Sequence, residues 1–208
     1  MSIVLRHHPF TRAAGVVPML EEVGAAYTLE YVDLKAGEHK QPEHKALNGM
    51  GKVPVLIDGE AVVSEVAAIG VYLADRYALG RLAPALDDPR RGPYLRWCFY
   101  APSVVEPCCM ARASKWEYSP SSAGFGTYEE MLDTLEAGIG DGPWLLGDQC
   151  TMADLILGGT VGWMMQFGML DKRPAFEAWV GRLKALPSSV RAAEINGAII
   201  AEKGLAPG

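Results

Sequence analysis

The chain has 208 residues, enough for one large domain or two small ones, each with a buried core. Half of the residues are hydrophobic and 21% are charged, as in ordinary globular proteins, and the formal charge of −6 argues against a nucleic-acid partner. No apolar run reaches the roughly 18 residues of a membrane span, and the N-terminus lacks a secretory pattern. We therefore expect a cytoplasmic protein with no membrane or nucleic-acid partner.

The first part of the chain alternates between strand and helix patterns. Residues 3–5 form an apolar run that predicts a short buried strand, which the segment 7–10 should end. Thr11 can cap a helix over about residues 12–23. Pro18 inside that helix would cost roughly 3 kcal/mol, so the sequence predicts an irregular first helix or a late start.

Strand patterns continue after this helix. Residues 27–34 alternate apolar and polar side chains, which predicts a half-buried strand, and Pro42 opens a short helix. Two short apolar runs, 53–57 and 61–63, flank an Asp-Gly turn, which is typical of a tight hairpin.

Residues 54–65 combine two features that indicate a binding site. Pro54 stands at the first residue of a strand, where a cis Val-Pro bond is possible. The next helix, with Ser64 as its predicted N-cap, begins where a strand ends, so its free N–H groups open at a sheet edge. Glu65 lies in its first turn. A ligand with a carboxylate and an ammonium on one carbon could therefore bind the free N–H groups with its carboxylate and Glu65 with its ammonium. A structural hairpin with an ordinary capped helix is the alternative.

The order βαβ-α-ββα predicts an α/β, thioredoxin-like domain over residues 1–78, with a linker at 79–86. Everything afterwards is helical in pattern, so residues 87–208 are expected to form an all-α domain. Helices are expected at five places in it: residues 93–114 with bends at Pro102 and Pro107, 127–137, from 151 onward, 174–186 and 188–201. Thr127 and Thr151 each begin a capping-box pattern, which indicates a role in folding.

The cysteines and histidines exclude two kinds of chemistry. Four cysteines, two of them adjacent, make a poor disulfide framework, so free thiols are expected. The first cysteine is Cys98, so no thiol stands at the first helix, where disulfide exchange would need one. His7 and His8 should face opposite sides of a strand, and no spacing of Cys or His fits a zinc site, so no metal is expected.

Several of these motifs together resemble the cytosolic glutathione transferases, in particular their bacterial members. The matching segments are residues 51–56, 65–69 and 72–75. The resemblance implies that the cis-proline loop, Val53 and Pro54, pairs its backbone with the cysteinyl part of glutathione. It also implies that Glu65 and the next residue hold the γ-glutamyl end, and that the protein is a homodimer.

The resemblance extends to the other end of glutathione, and it has one departure. His39 and Lys52 are candidates for binding the glycyl carboxylate, or they are solvated loop charges. Val66 stands where the family usually has Ser or Thr, and the lost hydroxyl would cost about 0.5–1.5 kcal/mol of binding. The backbone N–H of residue 66 and the helix dipole remain available.

Glutathione chemistry needs a thiolate, whereas a free thiol has a pKa near 8.5. A hydrogen-bond donor and the positive end of the first helix can lower that pKa. The candidate donors are His8, Thr11 and Arg12. Thr11 is favoured because an N-cap hydroxyl should point into the same opening as Pro54, although plain capping would explain it equally. Arg12 would add charge stabilisation, or it lies on the surface.

The electrophile is expected between the two domains, with Phe10, Trp97 and Tyr100 among its contacts, although an aromatic stripe is more often core. The leading hypothesis is an enzyme of detoxification that conjugates glutathione to small apolar electrophiles. Glutathione-dependent peroxidase or dehalogenase activity at the same site is a related hypothesis. A non-catalytic ligand-binding or interaction protein of the same fold is the third.

Overall fold

The structure is a computed structural model and describes residues 2–206. The chain forms two compact units. The first comprises the described residues up to Ala78 together with those from Pro187 onward, and the second comprises Leu79–Leu186. Among the helices of the described part, none is long and apolar enough to cross a membrane.

The first unit is built on a four-stranded sheet with the order β2-β1-β3-β4. Its strands are β1 (Ile3–His7), β2 (Tyr27–Tyr31), β3 (Val55–Asp58) and β4 (Ala61–Ser64). β1 is parallel to β2, while β3 is antiparallel to both β1 and β4. This mixed sheet confirms the thioredoxin-like prediction.

The α-helices of the described chain are, in order, α1 (Val17–Val23), α2 (Pro42–Leu47), α3 (Val66–Tyr77), α4 (Arg91–Tyr100), α5 (Glu106–Ala113), α6 (Tyr128–Ile139), α7 (Met152–Gln166), α8 (Pro174–Lys184) and α9 (Pro187–Lys203). A 3₁₀ turn, Arg12–Gly15, precedes α1, so Pro18 falls in the first turn of α1. A proline there removes only an N–H that would lack a helical partner anyway. The predicted late start of the first helix is therefore confirmed.

β1 is longer than the sequence suggested, because His7 belongs to it. The backbone N–H of Val32 donates to the His7 carbonyl at 2.8 Å, and the His7 side chain is fully buried on the same face as Ile3 and Leu5. The prediction that the strand would already be broken at His7 was wrong, because His7 is its last residue. A polar residue at the edge of an apolar run looks like a boundary when its buried surroundings are not known.

The hairpin between β3 and β4 is tied to the end of α3 through Asp58. The buried Asp58 carboxylate accepts hydrogen bonds from the hydroxyls of Tyr72 at 2.8 Å and Tyr77 at 2.5 Å. Arg76 forms an ion pair with it at 3.0 Å. These contacts lock the hairpin onto the helix whose opposite end faces the candidate site.

The second unit is a helical bundle. A π-helical turn over residues 101–105 separates α4 from α5, so the helix predicted over residues 93–114 is interrupted. Pro102 lies in this turn and Pro107 in the first turn of α5. Both capping boxes form, at Thr127 with Glu130 and at Thr151 with Asp154. Asp154 is fully buried and also accepts hydrogen bonds from Leu145 N and Trp179 Nε1, at 2.9 and 3.2 Å. It therefore organises the bundle core, as its capping pattern indicated.

The last helix lies in a different unit from the one expected for it. α9 packs against α1 in the first unit, whereas the sequence-based division placed residues 187–208 in the all-α domain. An amphipathic pattern shows that a helix has a partner but does not say which surface it covers.

Candidate functional site

The register of the sheet brings three chain segments to one edge. Arg6 of β1 pairs with Val55 of β3, and Val55 pairs with Ser64 of β4. The turn that follows β1, the loop that precedes β3 and the start of α3 therefore all emerge at the same end of the sheet. This edge is the candidate site.

The turn after β1 carries Thr11 at the N-cap of the 3₁₀ turn. Its hydroxyl donates to the His8 carbonyl at 2.8 Å and accepts from the Ala13 N–H at 3.1 Å. His8 Nδ1 in turn accepts from the Phe10 N–H at 3.2 Å. The turn is thus closed on itself, and the single hydroxyl proton of Thr11 must leave the His8 carbonyl before it can reach a ligand. The Arg12 side chain is exposed.

The loop before β3 contains a cis Val53–Pro54 peptide bond, as predicted. Just ahead of it, the Lys52 carbonyl accepts hydrogen bonds from His44 Nε2 at 2.9 Å and Asn48 Nδ2 at 3.1 Å. Both donors are buried, and the carbonyl requires His44 Nε2 to carry the proton. The loop is therefore held from beneath by α2 and the residue after it.

A cluster of basic side chains borders the same loop. Lys40 Nζ donates to the carbonyls of Met50 at 3.1 Å and Gly51 at 2.8 Å. Partial burial lowers the pKa of His39, and the nearby charges of Lys40, His44 and Lys52 lower it further. Such a concentration of positive charge favours an anionic ligand group.

Gly51 is required at its position in this loop. Its φ is +59°, and a Cβ atom there would lie 2.7 Å from the His39 carbonyl oxygen. Close packing of two backbone segments therefore places His39 and Lys52 near each other.

The start of α3 differs from the prediction by one residue. Ser64 is the last residue of β4, and Glu65, not Ser64, occupies the N-cap position with no side-chain capping bond. Glu65 has φ 67° and ψ 122°, a conformation that costs a non-glycine residue on the order of 1–3 kcal/mol. The strain turns the chain sharply, leaves the Glu65 side chain exposed, and directs the first N–H groups of α3, beginning with Val66, toward the edge.

The aromatic residues predicted to contact the electrophile differ in exposure. Phe10 is partly exposed in the first unit, while Trp97 and Tyr100 are buried in the second. Their rings meet edge to face, with centroids 5.2 Å apart. A role for these residues in binding an electrophile stays a prediction.

Neither a disulfide nor a metal-binding group of side chains is found in the described part of the chain. None of the four cysteines forms a disulfide, and burial raises the pKa of Cys108 to about 11 and of Cys109 to about 12, so both are protonated thiols at neutral pH. Across residues 2–206, no group of three or more His, Cys, Asp or Glu side chains is arranged to hold a metal ion.

Three residues that support the loop before β3 were not predicted from the sequence: the side chains of Lys40, His44 and Asn48 donate hydrogen bonds to its backbone carbonyls. The spacing of His44 and Asn48 could have revealed that pair, because residues four apart on a helix share a face. Nothing local marks Lys40, whose partners are two carbonyls of the 48–54 loop.

Comparison with known proteins assigns the chain to a family. Residues 1–75 match the family model of the glutathione S-transferase N-terminal domain, and residues 117–182 match that of the C-terminal domain. Glutathione S-transferase 3 of Zea mays is 30% identical over 189 residues, which cover 83% of this chain and 84% of the relative. The chain therefore belongs to the glutathione S-transferase family.

Solved structures show the same arrangement. A glutathione transferase from Methylococcus capsulatus is 27% identical, with a TM-score of 0.76 over 94% of this chain and 98% of that chain. The glutathione transferase URE2P8 from Phanerochaete chrysosporium, crystallised with oxidized glutathione, is 25% identical, with a TM-score of 0.77 over 96% of this chain and 97% of that chain.

Proposed function

We propose that this protein binds glutathione at the sheet edge of the first unit and transfers the thiolate to small apolar electrophiles. The observation that carries the proposal is the strand register in which Arg6 pairs with Val55 and Val55 pairs with Ser64. This register brings the turn after β1, the loop before β3 and the start of α3 to one edge of the sheet. Family membership and the oxidized glutathione in a related crystal structure support a ligand of this class.

Each segment suits one part of glutathione. Glu65 would pair with the ammonium of the γ-glutamyl end, and the first N–H groups of α3 would receive its carboxylate. Because Val66 has no hydroxyl, the backbone alone would make that second contact. Val53 and Pro54 would hold the cysteinyl part, and His39 and Lys52 would attract the glycyl carboxylate.

Thr11 and Arg12 are the residues proposed to favour the thiolate. A hydrogen bond to a charged group contributes about 1.5–3 kcal/mol, which corresponds to a decrease of about 1–2 units in the thiol pKa. The thiol proton would pass to solvent, and the sulfur would attack the electrophilic carbon. In a displacement, a carbon–sulfur bond would form while the leaving group departs with its bonding pair. In an addition, the π pair of a polarised double bond would shift to its far end, which then takes a proton from water.

The test is the ultraviolet absorbance of the glutathione thiolate, followed against pH in the wild type and in Thr11→Val, Arg12→Ala and Glu65→Gln. We expect a bound thiolate well below the free-thiol pKa in the wild type. Loss of that shift in Thr11→Val or Arg12→Ala would identify the activating group, and Thr11→Ser is the matched control that keeps the hydroxyl. Glu65→Gln should weaken binding. Absence of glutathione binding in the wild type would refute the proposal.

A non-catalytic glutathione-binding protein is the second candidate, and one observation favours it. The Thr11 hydroxyl proton already bonds to the His8 carbonyl at 2.8 Å, so it is not directed at a ligand. Binding of glutathione with an unshifted thiol pKa would select this candidate over the enzyme.

We further propose a cytosolic homodimer that acts in detoxification, with Phe10, Trp97 and Tyr100 contributing to electrophile binding. The family resemblance supports the dimer, and the molar mass in solution from light scattering would test it. Trp97→Phe and Tyr100→Phe should raise KM for the electrophile more than KM for glutathione if these side chains contact it.

A further inference from the structure

The C-terminal helix α9 meets the first unit at a buried polar residue. His7 ends β1 on the face that also carries Ile3 and Leu5, and all three side chains are almost completely buried. Asn196 of α9 is a close neighbour of the His7 ring. An apolar residue would suit this face better, so a histidine here calls for an explanation beyond packing.

The pair is not explained by mutual hydrogen bonding. Within residues 2–206, neither ring nitrogen of His7 nor Oδ1 of Asn196 has a hydrogen-bond partner, while Asn196 Nδ2 donates to the Ala192 carbonyl at 2.9 Å. No contact of the His7 ring nitrogens meets hydrogen-bond geometry, yet the Asn196 side chain and the Ala13 backbone act to raise the pKa of His7 against the effect of burial, so both lie near the ring.

Ala13 connects this inner contact to the candidate site. Its N–H donates to the Thr11 hydroxyl at 3.1 Å, so the Ala13 peptide directly supports the Thr11 side chain. The Ala13 backbone is also among the groups that act on the His7 ring. Ala13 is therefore the residue that the His7 ring and the Thr11 side chain share.

A second, outer line runs from the end of α9 to the same turn. Lys203 Nζ lies over the Tyr31 ring, 5.5 Å from its centroid. The Tyr31 ring packs on the His8 ring at 5.5 Å between centroids. The His8 carbonyl receives the Thr11 hydroxyl proton and also the Thr11 N–H, at 2.8 and 3.2 Å. The last turn of α9 is thus connected, through the Tyr31 and His8 rings, to the residue whose carbonyl accepts the Thr11 hydroxyl proton.

We propose that α9 positions the turn that carries Thr11, through Asn196 and His7 on the inner side and through Lys203, Tyr31 and His8 on the outer side. This inference rests on the proposed function. It makes His7, Asn196 and Lys203 positioning residues, which act on the thiol only through Thr11. Both family models end before α9, at residues 75 and 182, so nothing in those matches assigns it this role.

The experiment uses the full chain with His7→Phe and Asn196→Leu, which remove the polar groups while keeping comparable bulk. Four quantities are measured: the Kd for glutathione, the pKa of the bound thiol, kcat with an activated aryl halide as the electrophile, and the melting temperature. We expect the thiol pKa to rise and kcat to fall about tenfold, because a small misplacement of an activating group has large kinetic effects. The Kd should stay within about twofold, because hydrogen bonds of the 48–54 loop and Glu65 are untouched.

Two controls separate positioning from general damage. Glu194→Gln alters an exposed side chain of α9 that lies on neither line and should behave as wild type. His7→Gln restores polar atoms at residue 7 and should recover part of the lost rate. If His7→Phe or Asn196→Leu does not fold, Lys203→Ala, at an exposed residue, tests the outer line, with a smaller change in the same direction expected.

The outcomes are distinct. A wild type without a lowered thiol pKa removes the proposed enzymatic function, and the positioning role with it. A wild type with a lowered thiol pKa that His7→Phe, Asn196→Leu and Lys203→Ala all retain overturns the positioning role alone. Equal losses in Glu194→Gln would also overturn it, because the effect would then be general to the helix.

Discussion

The ring of Trp97 occupies the space in which residue 138 would place a side chain: a Cβ atom built on Gly138 would lie 2.2 Å from Trp97 Cη2. Trp97 is on α4 and Gly138 is near the end of α6, so this contact joins two helices of the second unit. Glycine at 138 is what allows the indole to be buried there.

Gly138→Ala should therefore destabilise the protein. Overpacking against a rigid ring costs about 1–3 kcal/mol, which exceeds the gain of up to ~1 kcal/mol that alanine brings to a helix. Urea unfolding would measure the change. Gly159→Ala in α7 is the matched control, because no atom lies within 4 Å of its added Cβ and the substitution should be neutral or stabilising. Equal stability of Gly138→Ala and wild type would mean that the indole moves freely.

Glu65→Gly should raise stability and weaken glutathione binding at the same time. Glycine adopts the φ of 67° without strain, so we expect a net gain of about 1 kcal/mol and a rise in Tm of about 2–4 °C. Affinity, measured by calorimetry, should fall because the carboxylate is lost. Glu65→Ala loses the carboxylate while keeping the strain, so it should bind weakly with no gain in Tm. A parallel fall in both quantities for Glu65→Gly would contradict the strain argument.

Asp58→Asn should lower the free energy of unfolding by about 1–3 kcal/mol, because a buried carboxylate with three donors is replaced. The pKa of Asp58 lies below its ordinary value of 3.8. The hydrogen bond from Tyr77 contributes most to this, followed by the hydrogen bond from Tyr72 and the charge of Arg76. Since the folded pKa is depressed, this stabilisation is complete above pH 3.8 and is lost as the pH falls further.

Urea unfolding of Asp58→Asn and wild type across the acidic range would test this. The difference between them should be constant near neutral pH and shrink in strong acid. Glu60→Gln, at an exposed residue of the same hairpin, should show neither effect. A difference that grows in acid would have the wrong sign.

His7 should make the protein sensitive to mild acid. Burial lowers its pKa from 6.5 to about 4, although the Asn196 side chain and the Ala13 backbone act in the opposite direction. Between these values the unfolded chain binds a proton that the folded chain does not, so stability falls as the pH drops. The loss amounts to about 3 kcal/mol over this range.

The measurement is the free energy of unfolding of wild type and His7→Phe at several values across that window. The variant should lack this part of the acid sensitivity, so its stability relative to wild type should increase as the pH falls. Parallel curves would show that His7 is protonated in the folded state.

Local chemistry predicted much of the candidate site. The loop with Pro54, the hairpin turn and the exposed start of α3 depend on residue types with strong backbone preferences, so each was found from a few neighbouring residues. The N-cap of α3 was misplaced by one residue because Ser64 is a good cap by type. The observed turn depends instead on strain at Glu65, which no preference indicates.

Contacts between distant segments explain what the sequence could not predict. His7 was expected to lie beyond the strand because its burial does not show in the neighbouring residues, and one group that acts on its ring, Asn196 of α9, is nearly the whole chain away. The hydrogen bond from the Thr11 hydroxyl to the His8 carbonyl was also not predicted, because the sequence left plain capping and donation to a ligand open as alternatives. Lys40 acts through backbone carbonyls, which carry no signal in the side-chain pattern.

The placement of α9 has a consequence for synthesis. The first unit is interrupted in sequence, since the whole of the second unit is inserted between Ala78 and Pro187. On the ribosome, the sheet and its first three helices are made early, yet the surface around His7 stays uncovered until the second unit has been translated. A helix made after the second unit thus completes a core made before it, and α9 can position the turn with Thr11 only once it has docked.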